Sequence, residues 1–326
     1  MFERLLVPLD ESTLAEQVLP HVALAARLGK PDITLLRVLE PPTSAGVDQP
    51  TDPVEWQLAL DAAQSYLVGV QKSLGEVGVD AEILVVEGDP ATSILQHMRE
   101  QRTDLLAITT HGRGGMLGHS LGNVASKTLL RARANVLLVR SLHAARGQVP
   151  TLPDVASYAN LLVPLDGSLR AEAGLAVAAR ISENVSSGML LTHVVEGGRP
   201  IRRRLPDDAE QRITDDYRRS QRLGAEAYLA SLTSELGNGA RRVEATVVGE
   251  GDPVAAIDRL ASERAIDLTV LTAHGETGSA RWPYGSVALH SVVYGATTLL
   301  VVQDRAQDEL SDTHTEQAAR ERQGHG

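Results

Sequence analysis

The 326-residue sequence contains no cysteine, which removes disulfides, thiolate metal sites and thiol nucleophiles together. Phe2 is its single phenylalanine, so a core has to be built from Val, Leu, Ile and Ala. Lysine occurs only at Lys30, Lys72 and Lys127 beside abundant arginine, which reflects codon usage rather than mechanism. No apolar run approaches the roughly 18 residues of a membrane span. Met1 leads straight into LLVPL without the basic and apolar regions of a secretory signal, so a cytoplasmic location is expected. No GxxxxGK[ST] is present, so there is no P-loop, and around Gly112-Arg113-Gly114 a GxGxxG fingerprint fails because Leu117 stands where its third glycine belongs. Histidines and carboxylates do not cluster at metal-ligand spacing. The formal net charge of −11 argues against a nucleic-acid partner.

What is present is a repeat. Hydrophobic residues make up 43% and charged residues 22%, the composition of a globular chain long enough for two domains. From Leu105 to Lys127 an apolar strand-like run passes through Thr109, Thr110 and His111 into a segment with Gly112, Gly114, Gly115, Gly118 and Gly122, and turns helical from Asn123. A strand, glycine loop and helix start expose backbone N–H groups at the positive end of a helix, which is a way to hold phosphate. The stretch Leu268 to His290 repeats it, and nine residues separate Gly112 from Gly122 and Gly275 from Gly285.

Taken in order, Arg4 to Asp10 reads as a buried strand ending at an acid, Glu11, Ser12 and Thr13 supply N-cap chemistry, and Leu14 to Leu28 reads as one helix closed by Gly29. Ile33 to Leu39 is a second strand, Glu40 to Pro53 a loop, Val54 to Leu74 a helix, and Ala81 to Val86 a third strand. Gly88-Asp89-Pro90 opens a helix to about Gln101, with Asp89 as N-cap. Leu105 to Ile108 is the fourth strand, a helix runs on to about Arg133, and Asn135 to Arg140 is the fifth. Strands alternating with helices at this pitch predict an α/β fold with a doubly wound parallel five-stranded sheet.

LLVPLDGS at Leu161 to Ser168 then repeats LLVPLDES at Leu5 to Ser12; LLTHVVE answers LLRVLE, and EGDP recurs at Glu250 to Pro253. The chain therefore reads as a tandem duplication: domain 1 over 1–142, a linker over 143–158, domain 2 over 159–304 and a tail over 305–326. From Asp304 onward the sequence is charged, polar and without apolar period, so disorder is expected there.

Ligands of open parallel sheets sit outside the carboxyl ends of the strands where the strand order reverses. Asp10, Asp166 and both glycine loops lie at such ends, and they face one crevice in each repeat if the first and fourth strands are neighbours. A carboxylate there can accept hydrogen bonds from a ribose or a base, while N–H groups around Gly122-Asn123 and Gly285-Ser286 take phosphate. Each Asp can also simply cap its following helix. Arg113, inside the loop, is a candidate phosphate contact, whereas Arg202-Arg203-Arg204 reads as a solvated run. His111 and His274 read as hydrogen-bonding groups that fix their turns.

The order VPLD-[EG]-S, RVLE or HVVE, EGDP, and T-x-H-G with nine residues to G-[NS] resembles the universal stress proteins, as a tandem two-domain member, over nearly the whole chain. The resemblance implies an adenine nucleotide alpha hydrolase-like, Rossmann-like fold with flavodoxin-like winding. It also implies binding of ATP or a related adenine nucleotide, with Mg²⁺ on its phosphates. Nucleotide-binding members carry glycine, two residues, glycine, nine residues, glycine, then serine or threonine. Carried over, the adenosine end meets Asp10 and Val38, or Asp166 and Val194. The phosphate loops are Gly112 with Gly122 and Asn123, and Gly275 with Gly285 and Ser286. Thr109 and Thr272 stand at the family's first glycine, Asn123 stands where a hydroxyl is expected, and Trp282-Pro283-Tyr284 makes the second loop bulkier and stiffer than the first with its Ser120-Leu121. The function implied is that of a stress-response sensor or regulator with little turnover. A scaffold of the same fold working through protein contacts, and a weak ATPase, stay open beside it. The resemblance also implies pairing of the two halves through their last strands, and leaves room for a regulatory protein partner and for a homodimer.

Overall fold

The computed structural model describes residues 1–41, 52–112, 121–140, 155–195, 207–237, 242–249, 251–275 and 283–304. The chain divides into two compact units, the first running from Met1 to Ser157 and the second beginning at Tyr158.

In the first unit the elements run β1 (Arg4–Pro8), α1 (Thr13–Glu16), α2 (Leu19–Gly29), β2 (Asp32–Leu39), α3 (Pro53–Glu76) and β3 (Glu82–Glu87). They continue with α4 (Pro90–Glu100), β4 (Leu105–Thr109), α5 (Asn123–Leu129) and β5 (Asn135–Val139). The strands are parallel in the order β3-β2-β1-β4-β5, so β1 and β4 are neighbours and the order reverses between them. All of β4 is buried, and Leu5, Leu6, Leu105 and Leu106 at the centre of the sheet are at most 1% exposed. Each such leucine contributes about 1.5–3 kcal/mol by leaving water, which lets an aliphatic core stand without phenylalanine.

The second unit repeats this with β6 (Asn160–Pro164), α6 (Leu169–Val185), β7 (Gly188–Val194), α7 (Asp207–Leu236) and β8 (Arg242–Val248). Then come α8 (Pro253–Glu263), β9 (Leu268–Thr272), α9 (Ser286–Tyr294) and β10 (Thr298–Val302). Its order is β8-β7-β6-β9-β10, with the reversal between β6 and β9.

The pairing register opens the crevices. β1 follows β2 from Arg4↔Asp32 to Pro8↔Leu36, but it pairs β4 only at Leu5↔Leu105 and Leu6↔Leu106. β6 likewise meets β9 at Leu161↔Leu268 and Leu162↔Thr269. Beyond these pairs the two strands part, which leaves space at their carboxyl ends. At the other ends a carboxylate ties each pair together: Asp104 accepts from the N–H groups of Glu3 and Arg4 at 2.7 and 3.0 Å, and Asp267 from those of Ala159 and Asn160 at 2.7 and 2.9 Å.

Two local expectations need correction. The helix read from Leu14 to Leu28 is two helices, because Pro20 lacks an N–H and its ring crowds the carbonyl four residues back. Gln17 and Val18 instead donate to Leu14 and Ala15 in tight i−3 bonds. Its end is closed by Lys30 in the left-handed region (φ 48), one residue past Gly29. The helix after the first glycine loop stops at Leu129, short of Arg133. Asp89 does cap α4, accepting from Thr92 N–H at 2.9 Å and Thr92 Oγ1 at 2.6 Å, and these bonds hold its carboxyl below the usual carboxylate range. The tail over 305–326 and most of the expected linker lie outside the described residues.

His21 on α2 gives the first unit an acid sensitivity. Burial pushes its imidazole down to about 4. The unfolded chain, with an ordinary histidine near 6.5, then binds more protons between these values, so stability is whole above about pH 6.5 and declines as pH falls towards about 4. The loss is at most about 3 kcal/mol, because the ring keeps some contact with water. His21→Gln should flatten the fall in urea midpoint between pH 7 and pH 4.5; an unchanged slope would remove His21 as its cause.

Candidate functional site

Each unit has a cleft at the reversal of its strand order. That of the first unit has a volume of about 500 Å³ and that of the second about 410 Å³, both within the usual range of small-molecule sites. The first is lined by Asp10, Val38, Thr109, Gly112, Gly122 and Asn123, and the second by Asp166, Val194, Thr272, Gly275, Gly285 and Ser286. Every described residue expected to meet a nucleotide therefore lines its own crevice. Arg113, the loop from 42 to 51 and Arg202 to Arg204 lie outside the described residues.

The acids are not the caps. Ser12 caps α1 and Ser168 caps α6, each accepting an N–H three residues on, from Ala15 at 3.1 Å and Ala171 at 3.2 Å. Asp10 Oδ1 receives the Ser12 hydroxyl at 2.6 Å and its N–H at 3.1 Å; Asp166 Oδ1 receives those of Ser168 at 2.6 and 3.0 Å. Each carboxylate thus orients the serine that caps the helix, and its other oxygen lies against the glycine loop. A Cβ added at Gly112 would fall 2.0 Å from Asp10 Oδ2, and one at Gly275 the same 2.0 Å from Asp166 Oδ2. This close approach of strand end to loop root is what the glycine after histidine permits in both repeats.

The residue after each acid turns through the left-handed region, Gly167 at φ 87 and Glu11 at φ 67. Glycine does this without strain, whereas a side chain there costs about 1 kcal/mol. Glu11 is held in place by Arg37, whose Nε lies 3.0 Å from Oε1 and whose Nη1 donates to the Val38 carbonyl at 2.6 Å.

The threonines at the expected first-glycine positions fold back on their own turns. Thr109 Oγ1 donates to the His111 carbonyl at 2.9 Å, and Thr272 Oγ1 to that of His274 at 3.0 Å. They brace the loop roots instead of projecting hydroxyls at a ligand. The histidines are also turn-fixing groups. His111 Nδ1 lies 3.1 Å from Thr110 Oγ1, and the buried His274 Nδ1 lies 2.8 Å from Asp304 Oδ1. Asp304, which the charge pattern assigns to the start of the tail, has a side chain only 1% exposed, with Arg170 Nε 3.6 Å away.

The N–H groups of Gly122 and Gly285 are themselves committed, to Thr110 O at 2.8 Å and Ala273 O at 2.7 Å. The donors left for an anion are those that follow. The first intrahelical bonds are made by Ser126 and Leu289 to these glycines, and neither α5 nor α9 has a side-chain cap. The N–H groups of Asn123 to Ala125 and of Ser286 to Ala288 therefore face the clefts ahead of the helices.

Sequence reasoning missed several wall residues. Trp56 lines the first cleft, its indole N–H donating to Glu87 Oε1 at 2.9 Å. Glu40, Pro90 and Ile94 line it too, and Tyr284 and Thr192 line the second. Trp56 was visible as one of two tryptophans and sits in the first turn of its helix, but its direction depends on how α3 packs. Among the described residues no helix is long and apolar enough to cross a membrane, and no three histidine or carboxylate side chains are grouped to hold a metal.

The sequence model of the Universal stress protein family matches residues 1–140 and again 157–321. Universal stress protein MJ0577 of Methanocaldococcus jannaschii is 23% identical over 155 residues, 43% of this chain and 96% of its own length. Universal stress protein YxiE of Bacillus subtilis is 24% identical over 149 residues, covering 43% of this chain and all of the relative. Over nearly the full chain, the crystal structure of a universal stress protein from Archaeoglobus fulgidus superposes with a TM-score of 0.64 at 18% identity, covering 93% of this chain and 98% of that one. At that identity the likeness shows the fold: two tandem α/β units.

Proposed function

Since the chain belongs to the universal stress protein family, we propose that it is a stress-response module that holds ATP or a related adenine nucleotide in at least one of its two clefts, as a sensor or regulator with little turnover. The observation that carries this is the duplicated contact between acid and glycine. In both units a carboxylate oriented by serine lies against a glycine whose Cβ would fall 2.0 Å from its oxygen, at the mouth of a cleft of nucleotide size.

Electrostatics orient the ligand. A phosphate beside Asp10 or Asp166 would meet like charge, so the acid faces the ribose and base, whose hydroxyl and N–H groups a carboxylate accepts. The phosphates extend towards the N–H groups that open α5 or α9. Val38 and Val194, at the ends of β2 and β7, supply apolar wall beside the acid. Mg²⁺ would be held chiefly by the phosphates and water, in keeping with an ion that retains most of its water shell. Among the described residues, neither cleft sets a second carboxylate or a histidine beside its acid as a base for attacking water, apart from His111, which is engaged with Thr110, and Glu40 at the first rim. Storage or sensing of nucleotide is therefore the activity this geometry favours over hydrolysis.

The reading is tested by calorimetric titration of the full chain with ATP and Mg²⁺. Asp10→Ala should weaken binding in the first cleft and Asp166→Ala in the second, each by at least about tenfold, the effect of losing a charge-assisted hydrogen bond. Binding that survives the double variant unchanged would place the nucleotide elsewhere.

A further inference from the structure

The two clefts share their landmarks but not their walls. Two residues with buried hydroxyls line only the second. Thr192 on β7 is 0% exposed and Tyr284, just ahead of Gly285, is 4% exposed. Neither Thr192 Oγ1 nor Tyr284 Oη has a hydrogen-bond partner among the described residues. In the first unit the residues at the same places, two before Val38 and one before Gly122, are Leu36 and Leu121.

Packing does not account for these hydroxyls. A buried hydroxyl without a partner bears the full cost of its lost hydration, and valine or phenylalanine would fill the same volume without it. The backbone around Thr192 is regular, paired with Pro164 and Thr246 and accepting from Leu165 N–H at 2.8 Å, so no strand irregularity requires a threonine there. Burial also raises the Tyr284 phenol above its ordinary range, which keeps it neutral and able to donate.

Resting on the nucleotide reading above, we propose that Thr192 and Tyr284 are ligand contacts of the second cleft, which grips a nucleoside phosphate through two hydroxyls that the first cleft lacks. Strand alternation puts Thr192 on the same face of β7 as Val194, at the nucleoside end. Tyr284 adjoins the first turn of α9 and donates at the ribose or phosphate end. The two clefts are therefore non-equivalent: the first holds its ligand against leucine and Trp56, the second by polar contacts that a bound ligand satisfies.

The test uses the near-isosteric variants Thr192→Val and Tyr284→Phe in the full chain, titrated with ATP and Mg²⁺ and also melted without ligand. Asp10→Asn and Asp166→Asn assign each class of sites to its cleft. Each hydroxyl variant should weaken the Asp166-dependent class about tenfold, leave the Asp10-dependent class unchanged, and raise the melting temperature of the ligand-free protein. A raised melting temperature with unchanged affinity would make the hydroxyls mere packing defects and overturn the inference. Binding confined to the Asp10-dependent class would overturn it too while leaving the nucleotide reading intact. No binding by the wild type would overturn both.

Discussion

Gly112→Ala is expected to empty the first cleft, and Gly275→Ala the second, each with a loss of affinity of at least about a hundredfold. The added Cβ would lie 2.0 Å from an Asp10 or Asp166 oxygen and 2.8 or 3.0 Å from its Cγ, well inside contact distance. The carboxylate has to rotate or the loop root has to retreat. Rotation breaks the 2.6 Å bond from Ser12 or Ser168, and that serine is the cap of the helix that follows. Overpacking of this kind costs about 1–3 kcal/mol of stability; the loss in binding exceeds that of removing the acid alone because the ligand acceptor and the loop root are displaced together, each worth about tenfold. The later glycines grade the effect. Gly122→Ala would bring a Cβ 3.2 Å from Thr110 O, and Gly285→Ala one 3.5 Å from Ala273 O. Calorimetry should rank the variants with 112 and 275 worst, 122 intermediate and 285 mildest. A Gly112→Ala protein that binds like the wild type would show that the acid and glycine contact has no part in the site.

Asp304→Ala is expected to destabilise the second unit by about 3 kcal/mol, the effect of removing one partner from a buried polar pair. His274 and Asp304 are both almost wholly buried and 2.8 Å apart, and Arg170 approaches from the first turn of α6. The bond ties the root of the second glycine loop to the chain leaving β10. The first unit has Ser141 and Leu14 at the corresponding places and settles His111 on Thr110 instead. The urea unfolding transition of the second unit should move to lower denaturant, with Asp304→Asn recovering much of the loss because an amide oxygen still accepts. An unshifted transition would mean that the pair contributes nothing to stability.

Much of this was legible before any coordinates. The repeated VPLD, EGDP and nine-residue glycine spacing placed both crevices, because the strand order of a doubly wound sheet brings the ends of its first and fourth strands together whatever the details. The break at Pro20 was present in the sequence, but apolar spacing continues across it and hides it. Asp304 looked like the first residue of a polar tail, since one charged residue after a strand carries no local sign of burial; only its approach to His274, thirty residues earlier, gives it a role. Ser12 was legible as N-cap chemistry beside Glu11 and Thr13, and it is the residue that caps α1; its hydrogen bond to Asp10, and the matching one from Ser168 to Asp166, were not. Glu11 and Gly167 differ between otherwise matching motifs, and both occupy a left-handed turn that one repeat meets with glycine and the other with an ion pair to Arg37. Thr192 fell in an unremarkable strand position and Tyr284 stood out only as bulk in the second glycine loop; the interest of both comes from hydroxyls without a partner among the described residues.

The central claim is that the clefts hold an adenine nucleotide, and it is tested most directly on protein purified without added ligand. The protein is denatured, and the nucleotide released per chain is quantified by ion-exchange chromatography with mass detection. The account predicts one or two equivalents of an adenine nucleotide from the wild type and none from the Gly112→Ala, Gly275→Ala double variant. A wild-type protein that releases none, and gives no heat with added ATP and Mg²⁺, would contradict it and leave a scaffold of this fold as the better description.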